Sequence, residues 1–329
     1  MTAGTADDMA PRGTTPGPTT ADDTVLVTGA GGNTGRLVVA GLTALGVSVR
    51  AASRRGTAAP AGAGPELFTS AHFDWHDPRT HTDALDGVDR IYLVPPIGAV
   101  EPADVMVPFL RRARESGVRR AVLLSSSAIP EGGPGAGQVH GALAEIFPEW
   151  AVLQPSWFMQ NFIGGHQHGE SIRARDTILT ATDKGRVGFV DAADIAAVAV
   201  RALIDEPAHN TAHVITGPEA LSYDDIAATV ARVTGRPVRH DSVSYEQQRD
   251  RFAADMPAEF ATLLADLDRA IASGVEDRTT RTVETVTGRP PRSFADFAEA
   301  HASSFVGDRA DRADRAQRDV GPGISPTSR

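Results

Sequence analysis

The sequence contains no cysteine, and Lys184 is the only lysine among its 329 residues. Without cysteine the chain has no disulfide bond, no thiol nucleophile and no cysteine-ligated zinc site. No apolar run approaches the ~20 residues of a membrane-spanning helix, so we expect no membrane partner. The formal net charge of −10 argues against nucleic acid as a general partner. Because the first residues also lack the apolar core of a signal peptide, these features predict a cytoplasmic protein.

Both ends of the chain are predicted to be disordered tails. Residues 1–23 are mainly small, polar and acidic, and residues 307–329 form a similar low-complexity segment. Residues 1–23 have no periodicity and too few apolar side chains to order themselves. The Asp-Arg-Ala triplets of the second segment would form at most a frayed helix with i,i+3 ion pairs, and a solvated tail is the preferred interpretation. The folded part of the chain is therefore expected between residues 24 and 306.

Between the tails, strands and helices alternate. Thr24–Gly29 has the composition of a buried strand, residues 34–45 that of a helix, and later apolar strands are again separated by amphipathic helices. This alternation is typical of a parallel sheet covered on both faces, so the predicted fold class is α/β, a Rossmann-type doubly wound parallel sheet. Since the rhythm changes after residue 156, we expect a Rossmann domain over 24–156 and a smaller C-terminal lobe over 157–306.

The stretch "VLVTGAGGNTGRLVV" carries the strongest motif of the sequence. A strand leads into a glycine-rich loop with the spacing G-x-x-G-x-x-G, and a helix begins immediately. Glycines let the backbone turn sharply and approach a pyrophosphate, and the helix amino terminus offers free N–H groups and a positive dipole end. The loop therefore predicts NAD(P) binding by the first domain, through Gly29, Gly31, Gly32, Asn33, Thr34 and Gly35.

The second strand indicates which nicotinamide cofactor is bound. An NAD site has an acidic side chain about 20 residues after the glycines, which binds the ribose 2′-hydroxyl, yet residues 36–65 contain no Asp or Glu. The strand ends instead in Ser53, Arg54 and Arg55, and guanidinium groups suit a 2′-phosphate. The sequence thus predicts NADPH. Asp74 and Trp75 come at the end of a third strand, where we expect the adenine amino group to bind.

Further motifs join the glycine loop in one pattern, among them "ASRRG", "FDWHDP", "GVRRAVLLSSSA", "WAVLQPSWFMQNF" and "GFVDAADIAAVA". With them the chain resembles, from about Thr24 to Phe305, the atypical (extended) short-chain dehydrogenase/reductases. Within these it is most similar to the NmrA-like group of the ergot-alkaloid type, the festuclavine and agroclavine dehydrogenases. The resemblance implies NADP(H) and a polycyclic or aromatic small-molecule substrate, bound in the smaller lobe. We expect a monomer or a weak homodimer.

The resemblance also implies which side chains surround the two ligands. The segment after the strand "RIYL" would lie against the adenosine, and two serines of "SSS" would lie below the nicotinamide. The residues of "PSWFMQNF" would lie beside the nicotinamide and the substrate. The implied cofactor-binding residues are Val94, Pro95, Pro96, Ser125, Ser126, Pro155, Ser156 and Phe158. The implied substrate-binding residues are Trp157, Met159, Gln160, Asn161 and Phe162, although at least one residue of "WFM" is expected to be core.

The catalytic pair of the short-chain family is missing. Its members typically use a serine, a proton-donating tyrosine, and a lysine four residues later on the same helix face. The corresponding residues here are Ser127, His140 and Ala144. His140 is either a proton donor, since imidazole titrates near pH 6.5, or a residue that caps or packs a helix start. Ser126 and Ser127 are candidate donors to a developing oxyanion.

Three hypotheses about function therefore stay open. An iminium or conjugated acceptor needs only hydride, and a ketone beside a phenol, as in aromatic polyketides of antibiotic biosynthesis, receives its proton from the substrate itself. The alternative is a non-catalytic NmrA-like regulator that senses dinucleotides. No metal is expected, because His166 and His168 lack further ligands nearby. Lys184 lies on a loop and is expected to be exposed.

Overall fold

A computed structural model describes residues 23–96, 98–99, 101–254 and 256–306 of the chain. The predicted tails lie outside these residues except for Asp23, whose carboxylate is buried and bound to two arginine side chains. The described fold therefore includes one residue more than predicted at this end. None of the helices in these ranges is long and apolar enough to cross a membrane.

Seven parallel strands form the central sheet. Its order is β3-β2-β1-β4-β5-β6-β9, and every neighbouring pair is parallel, which confirms the predicted α/β class and the Rossmann-type sheet. In chain order the strands are β1 (Thr24–Thr28), β2 (Ser48–Ser53), β3 (Phe68–His72), β4 (Arg90–Leu93), β5 (Arg120–Leu124), β6 (Glu149–Pro155), β7 (Thr177–Thr180), β8 (Arg186–Val187), β9 (Thr211–Ile215), β10 (Leu221–Ser222) and β11 (Arg239–Ser242).

Helices cover both faces of this sheet. They are α1 (Gly35–Ala44), α2 (His81–Leu85), α3 (Ala103–Glu115), α4 (Ala136–Ile146), α5 (Gln167–Arg175), α6 (Ala192–Ile204), α7 (Tyr223–Thr234), α8 (Tyr245–Ala253), α9 (Ala258–Ala272), α10 (Thr282–Thr287) and α11 (Phe294–Ala300), with short 3-10 turns at Pro78–Thr80, Met159–Phe162 and Ala302–Phe305. Helices α1 and α6 pack over a core that includes Val27 and Leu203, whereas α3 and α4 cover the opposite face around Leu26 and Phe109.

Strand β9 corrects the predicted division of the chain. Both β9 and α6 come from the half that the sequence assigned to a separate lobe. However, β9 pairs with β6 from Ala151↔Thr211 to Pro155↔Ile215, and α6 packs against α1. Residue 156 is therefore no boundary between structural units. The sequence did not reveal this because the sheet to which a short apolar strand such as "AHVITG" belongs is decided by contacts distant along the chain.

Buried arginines attach α6 to the amino edge of the sheet. The side chains of Arg90 and Arg120 are 3% and 0% exposed, and both donate to the carbonyl of Leu203 in the last turn of α6, at 2.6 and 2.9 Å. A cation at a helix carboxyl terminus interacts favourably with the helix dipole. Arg120 is also paired with Glu149 at 2.7 Å and with Glu206 at 2.9 Å. This network lies at the end of the sheet opposite to the carboxyl ends of the strands.

The remaining elements of the second half pack around a core of their own. β7 pairs with β11 in parallel and β8 with β10 antiparallel. Phe162 lies in this core, with its ring centroid 5.2 Å from that of Phe189 and 5.9 Å from that of Tyr223. Helix α7 begins with a capping box, in which Ser222 and Asp225 each accept from the other's backbone N–H.

Candidate active site at the carboxyl edge of the sheet

The glycine loop has the geometry that a pyrophosphate site requires. Gly29 has a φ of 61°, and the N–H of Gly32 donates back to its carbonyl at 2.9 Å. A Cβ on Gly35 would lie 2.2 Å from the Gly29 carbonyl oxygen, so only glycine allows this approach of helix and strand. Among the described residues, the N–H groups of Asn33, Thr34 and Gly35 donate to no backbone acceptor. They remain available for an anion at the start of α1.

Strand β4 supports this loop from below. The buried Tyr92 hydroxyl donates to the Thr34 hydroxyl at 3.1 Å, so the Thr34 side chain is held beneath the loop and does not cap α1. Val94 follows β4, and its N–H donates to the Thr28 hydroxyl at 2.8 Å. The Val94 side chain comes within 3.0 Å of the position that a Cβ on Gly29 would take. Val94, and with it the half-buried Pro95 and Pro96, thus lies beside the loop, as the prediction of an adenosine contact requires.

The end of β2 presents two arginines to solvent. Arg54 and Arg55 are both exposed, and neither makes a hydrogen bond or an ion pair with any part of the chain that the structure describes. The Ser53 hydroxyl is half-buried and accepts from the Thr57 hydroxyl at 3.1 Å. Two unpaired guanidinium groups beside the glycine loop suit a phosphate on the ribose.

Trp75 corrects the predicted adenine site. Its indole is 8% exposed and packs edge-on against Phe73 and Phe109, with ring centroids 4.9 and 5.1 Å apart. The indole N–H donates to the carbonyl of Val94 at 3.0 Å, so Trp75 belongs to the core and positions Val94 rather than facing a ligand. Asp74, which is half-buried, accepts from the His76 N–H at 2.9 Å. A polar–aromatic pair after a strand does not reveal which of its members points inward.

Two buried hydroxyl groups without partners lie beyond β5 and β6. The N–H of Ser125 donates to Leu153 at 2.7 Å and that of Ser127 to Pro155 at 2.9 Å, so the two chains stay paired past the end of β5. The hydroxyl oxygens of Ser125 and Ser156 are buried and bind nothing in the described structure. An unsatisfied buried hydroxyl costs ~1–3 kcal/mol, so such groups mark positions where a ligand supplies the partner.

The third serine of the predicted site is already engaged. The Ser127 hydroxyl donates to the carboxylate of Glu276 at 2.9 Å, which corrects its assignment as a free donor to an oxyanion. Ser126 accepts from the Ala128 N–H at 3.3 Å. Glu276 is not recognisable from the sequence, because the loop "GVEDRT" has the composition of an exposed turn. No signal in it distinguishes a buried acid from the exposed Asp277 beside it.

The strip "PSWFMQNF" is more buried than a substrate surface would be. Met159 and Phe162 are 1% and 0% exposed and belong to the core of the second half, which corrects their assignment as substrate contacts. The Gln160 amide donates to the Asp191 carboxylate at 2.8 Å and accepts from the Ala192 N–H at 3.0 Å, so it fixes the start of α6. Trp157 and Asn161 are half-buried and remain candidates, as do the buried Pro155 and the half-buried Phe158 beside the nicotinamide position.

Comparisons with known proteins agree with this geometry. Residues 29–148 match a family described as NAD(P)H-binding. The oxidoreductase YesF of Bacillus subtilis is 46% identical over 281 residues, which cover 85% of this chain and 95% of that protein. Agroclavine dehydrogenase of Claviceps fusiformis is 39% identical over 235 residues, 68% of this chain and 81% of the relative.

The chain belongs to the NmrA-like atypical short-chain dehydrogenase/reductases. It is an NAD(P)H-dependent oxidoreductase. Solved structures share its fold. The Escherichia coli quinone oxidoreductase QOR2 complexed with NADPH aligns with a TM-score of 0.69 at 22% identity, and the Citrobacter triphenylmethane reductase complexed with NADP(H) with 0.68 at 20%. Each of these alignments covers 84% of this chain and 99% of the other.

In this NmrA-like reductase, His140 does not take the place of the missing tyrosine. Its ring is 5% exposed on the second turn of α4, with its centroid 6.3 Å from that of Trp150 near the amino end of β6. The Nδ1 atom has no hydrogen-bond partner in the part of the chain that the structure describes, and Nε2 is 3.9 Å from the Glu131 carboxylate. Burial lowers the pKa of His140 below its ordinary 6.5, so the ring is neutral at pH 7. Because the ring is buried beside Trp150 near the amino end of β6, and not at the carboxyl edge, the structure favours the packing role of His140 over the catalytic one.

Three other residues that the sequence singled out, Lys184, His166 and His168, lie in the second half of the chain. Lys184 is 79% exposed, as expected, and forms an ion pair with Asp224 at 2.8 Å. The rings of His166 and His168 lie 4.9 Å apart, but within the described ranges no group of three or more acidic or imidazole side chains is arranged to hold a metal ion. His168 stacks on Phe162, and burial lowers its pKa.

Proposed function

We propose that the chain is an NADPH-dependent reductase that reduces a polycyclic or aromatic natural-product intermediate. The observation that carries the choice of NADPH over NADH is the pair Arg54 and Arg55, which are exposed at the end of β2 and have no partner among the described residues. Residues 36–65 contain no acidic side chain that would bind a ribose 2′-hydroxyl or repel a phosphate. Both features favour the phosphorylated ribose.

The residues present suit two parts of the cofactor, the pyrophosphate and the nicotinamide. The free N–H groups at the start of α1 suit the pyrophosphate, and the buried, unpartnered hydroxyls of Ser125 and Ser156 suit the carboxamide of the nicotinamide. When bound, NADPH supplies a hydride ion from its dihydronicotinamide ring. The chain's own contribution is to hold that ring and the acceptor in contact, which can lower the barrier by ~7–11 kcal/mol.

We infer that the acceptor needs no proton from a general acid of the protein. Ala144 has no acidic group, and His140 is neutral and buried. The Ser127 hydroxyl already donates its hydrogen bond to Glu276. An iminium or conjugated cation meets this condition because hydride alone completes its reduction. A ketone beside a phenol meets it because the phenol supplies the proton. Relatives named agroclavine dehydrogenase and festuclavine synthase support a polycyclic substrate.

The proposal is tested with NADPH deuterated at C4. We expect the protein to bind NADPH more tightly than NADH and to transfer deuterium to the acceptor carbon of a cationic triphenylmethane dye or of a polycyclic iminium. Product mass and the loss of absorbance at 340 nm are the measurements. Tight NADPH binding with no label transfer to any acceptor in the panel would contradict the reductase and favour a dinucleotide-sensing regulator instead.

A further inference from the structure

Glu276 is a buried acid in an otherwise exposed turn. Its side chain is 3% exposed, whereas its neighbours Val275 and Asp277 are exposed. One carboxylate oxygen accepts from the Ser127 hydroxyl at 2.9 Å, and the other is 3.5 Å from the guanidinium of Arg278. Burying a carboxylate is costly unless it is hydrogen-bonded or paired, so the turn is built to direct this charge inward.

The turn is fixed across the carboxyl ends of the strands. The N–H of Thr280 donates to the Thr216 hydroxyl at 2.8 Å, and the Thr280 hydroxyl donates to the carbonyl of Val214 at 2.8 Å. These bonds attach the segment to the end of β9, while Glu276 reaches Ser127 beyond β5. The strand between them, β6, leads into the unpartnered hydroxyl of Ser156. Glu276 is therefore part of the edge where the nicotinamide is proposed to bind.

The direction of the Ser127 hydrogen bond decides what this hydroxyl can offer a ligand. A serine hydroxyl has one hydrogen and two lone pairs. Because the hydrogen is directed to Glu276, only lone pairs remain for other partners. A group that accepts a proton, or develops negative charge, would have to break the bond between Ser127 and Glu276.

We propose that Glu276 is a positioning and specificity-determining residue that makes this side of the site favour cationic acceptors. Because Glu276 accepts the hydrogen bond of the Ser127 hydroxyl, the lone pairs of that oxygen are left to face the substrate. The negative charge of Glu276 also stabilises a positive charge on a nearby acceptor. Arg278 is 43% exposed, so water screens its opposing charge more than that of Glu276. This inference rests on the proposed function and narrows its acceptor class.

The two acceptor classes differ in what the site must provide. A hydride from the dihydronicotinamide would add to a cationic carbon, so that one C–H bond breaks at C4 of the cofactor and one forms in the acceptor. The positive charge would pass from the acceptor to the nicotinamide, and no proton would be required. Hydride addition to a neutral quinone creates an oxyanion that needs a proton from the substrate or from water. With Ser127 bound to Glu276, the first reaction is favoured and the second is not.

The test compares crystal violet, a cationic acceptor, with menadione, a neutral quinone, in the full chain with saturating NADPH. For Glu276→Gln we expect the KM for crystal violet to rise about tenfold, as removal of one nearby charge implies, while the KM for menadione changes less than threefold. Asp277→Asn removes the same charge from the exposed neighbouring residue and should change neither. For Arg278→Gln we expect the opposite sign, with a lower KM for crystal violet.

A second measurement separates this inference from the proposed reductase activity. The dissociation constant of crystal violet is measured by absorbance on the NADP⁺-bound protein, which requires no turnover. If the dye is bound but not reduced, the reductase proposal fails. The change in the dissociation constant of the dye caused by Glu276→Gln still tests the role of Glu276. Equal effects of Glu276→Gln on both acceptors, or no effect, would overturn the inference. If Glu276→Gln does not fold, the Arg278→Gln variant tests the inference. Crystal violet should bind this variant more tightly than the wild type, and an unchanged or weaker affinity would exclude the charge effect.

Discussion

Replacing Arg54 and Arg55 by alanine should weaken the binding of NADPH and leave the binding of NADH unchanged. A charge-assisted hydrogen bond contributes ~1.5–3 kcal/mol when its partners are shielded from water. Both arginines are exposed, and salt screens charges beyond about 8 Å at physiological ionic strength, so each contribution falls below this range. About 1 kcal/mol from each gives ~2 kcal/mol together. Since 1.4 kcal/mol corresponds to tenfold, the Kd for NADPH should rise about 30-fold, and at least tenfold.

The assay is isothermal titration calorimetry with both cofactors at low and at moderate salt. The wild type should lose affinity for NADPH as salt rises, whereas the double variant should lose much less. Arg111→Ala is the matched control, because Arg111 is an exposed arginine on α3 and its loss removes charge without touching β2. The reasoning would be refuted if the wild type bound NADH and NADPH with equal affinity. It would also be refuted if the double variant lost the same amount of affinity for both cofactors.

Four further outcomes are expected from the same structure. Gly35→Ala should unfold or strongly destabilise the protein, because the added Cβ would lie 2.2 Å from a carbonyl oxygen. Gly31→Ala is the control and should keep the wild-type Tm, because nothing lies within 4 Å of its Cβ position. A normal Tm for Gly35→Ala would show that the loop adapts. His140→Ala should lower kcat less than tenfold, and a thousandfold loss would restore His140 as the acid. Because the pKa of His140 is lowered on folding, the unfolded chain binds more protons below pH 6.5, so the free energy of unfolding should fall as pH decreases from 6.5 to 5, and His140→Ala should show a smaller decrease in urea titrations. Arg120→Ala should cost about 3 kcal/mol in urea unfolding yet leave the Kd for NADPH unchanged, since Arg120 lies at the opposite edge of the sheet; a large change in Kd would mean that the two edges are coupled.

Local patterns in the sequence determined the fold class and the position of the cofactor loop. Strand–glycine–helix spacing at Gly29–Gly35 depends on neighbours within a few residues, and the same holds for the capping box at Ser222 and the missing lysine at position 144. Such features follow from local backbone geometry, so they can be predicted without knowing which elements meet. The arginines at the end of β2 belong to this group, because a strand end in a parallel sheet points to the ligand edge.

Contacts between distant residues determined the rest. Trp75 and Met159 have the residue types of ligand-contacting side chains, yet tertiary packing placed both in the core. β9 joined the main sheet through pairing with β6, about 60 residues earlier in the chain. Glu276 reached Ser127 across 149 positions, and no local signal marks an acid whose burial depends on a partner so far away. Direction and burial of a polar side chain are therefore properties of the packed structure, and they decide which of the predicted site residues can act.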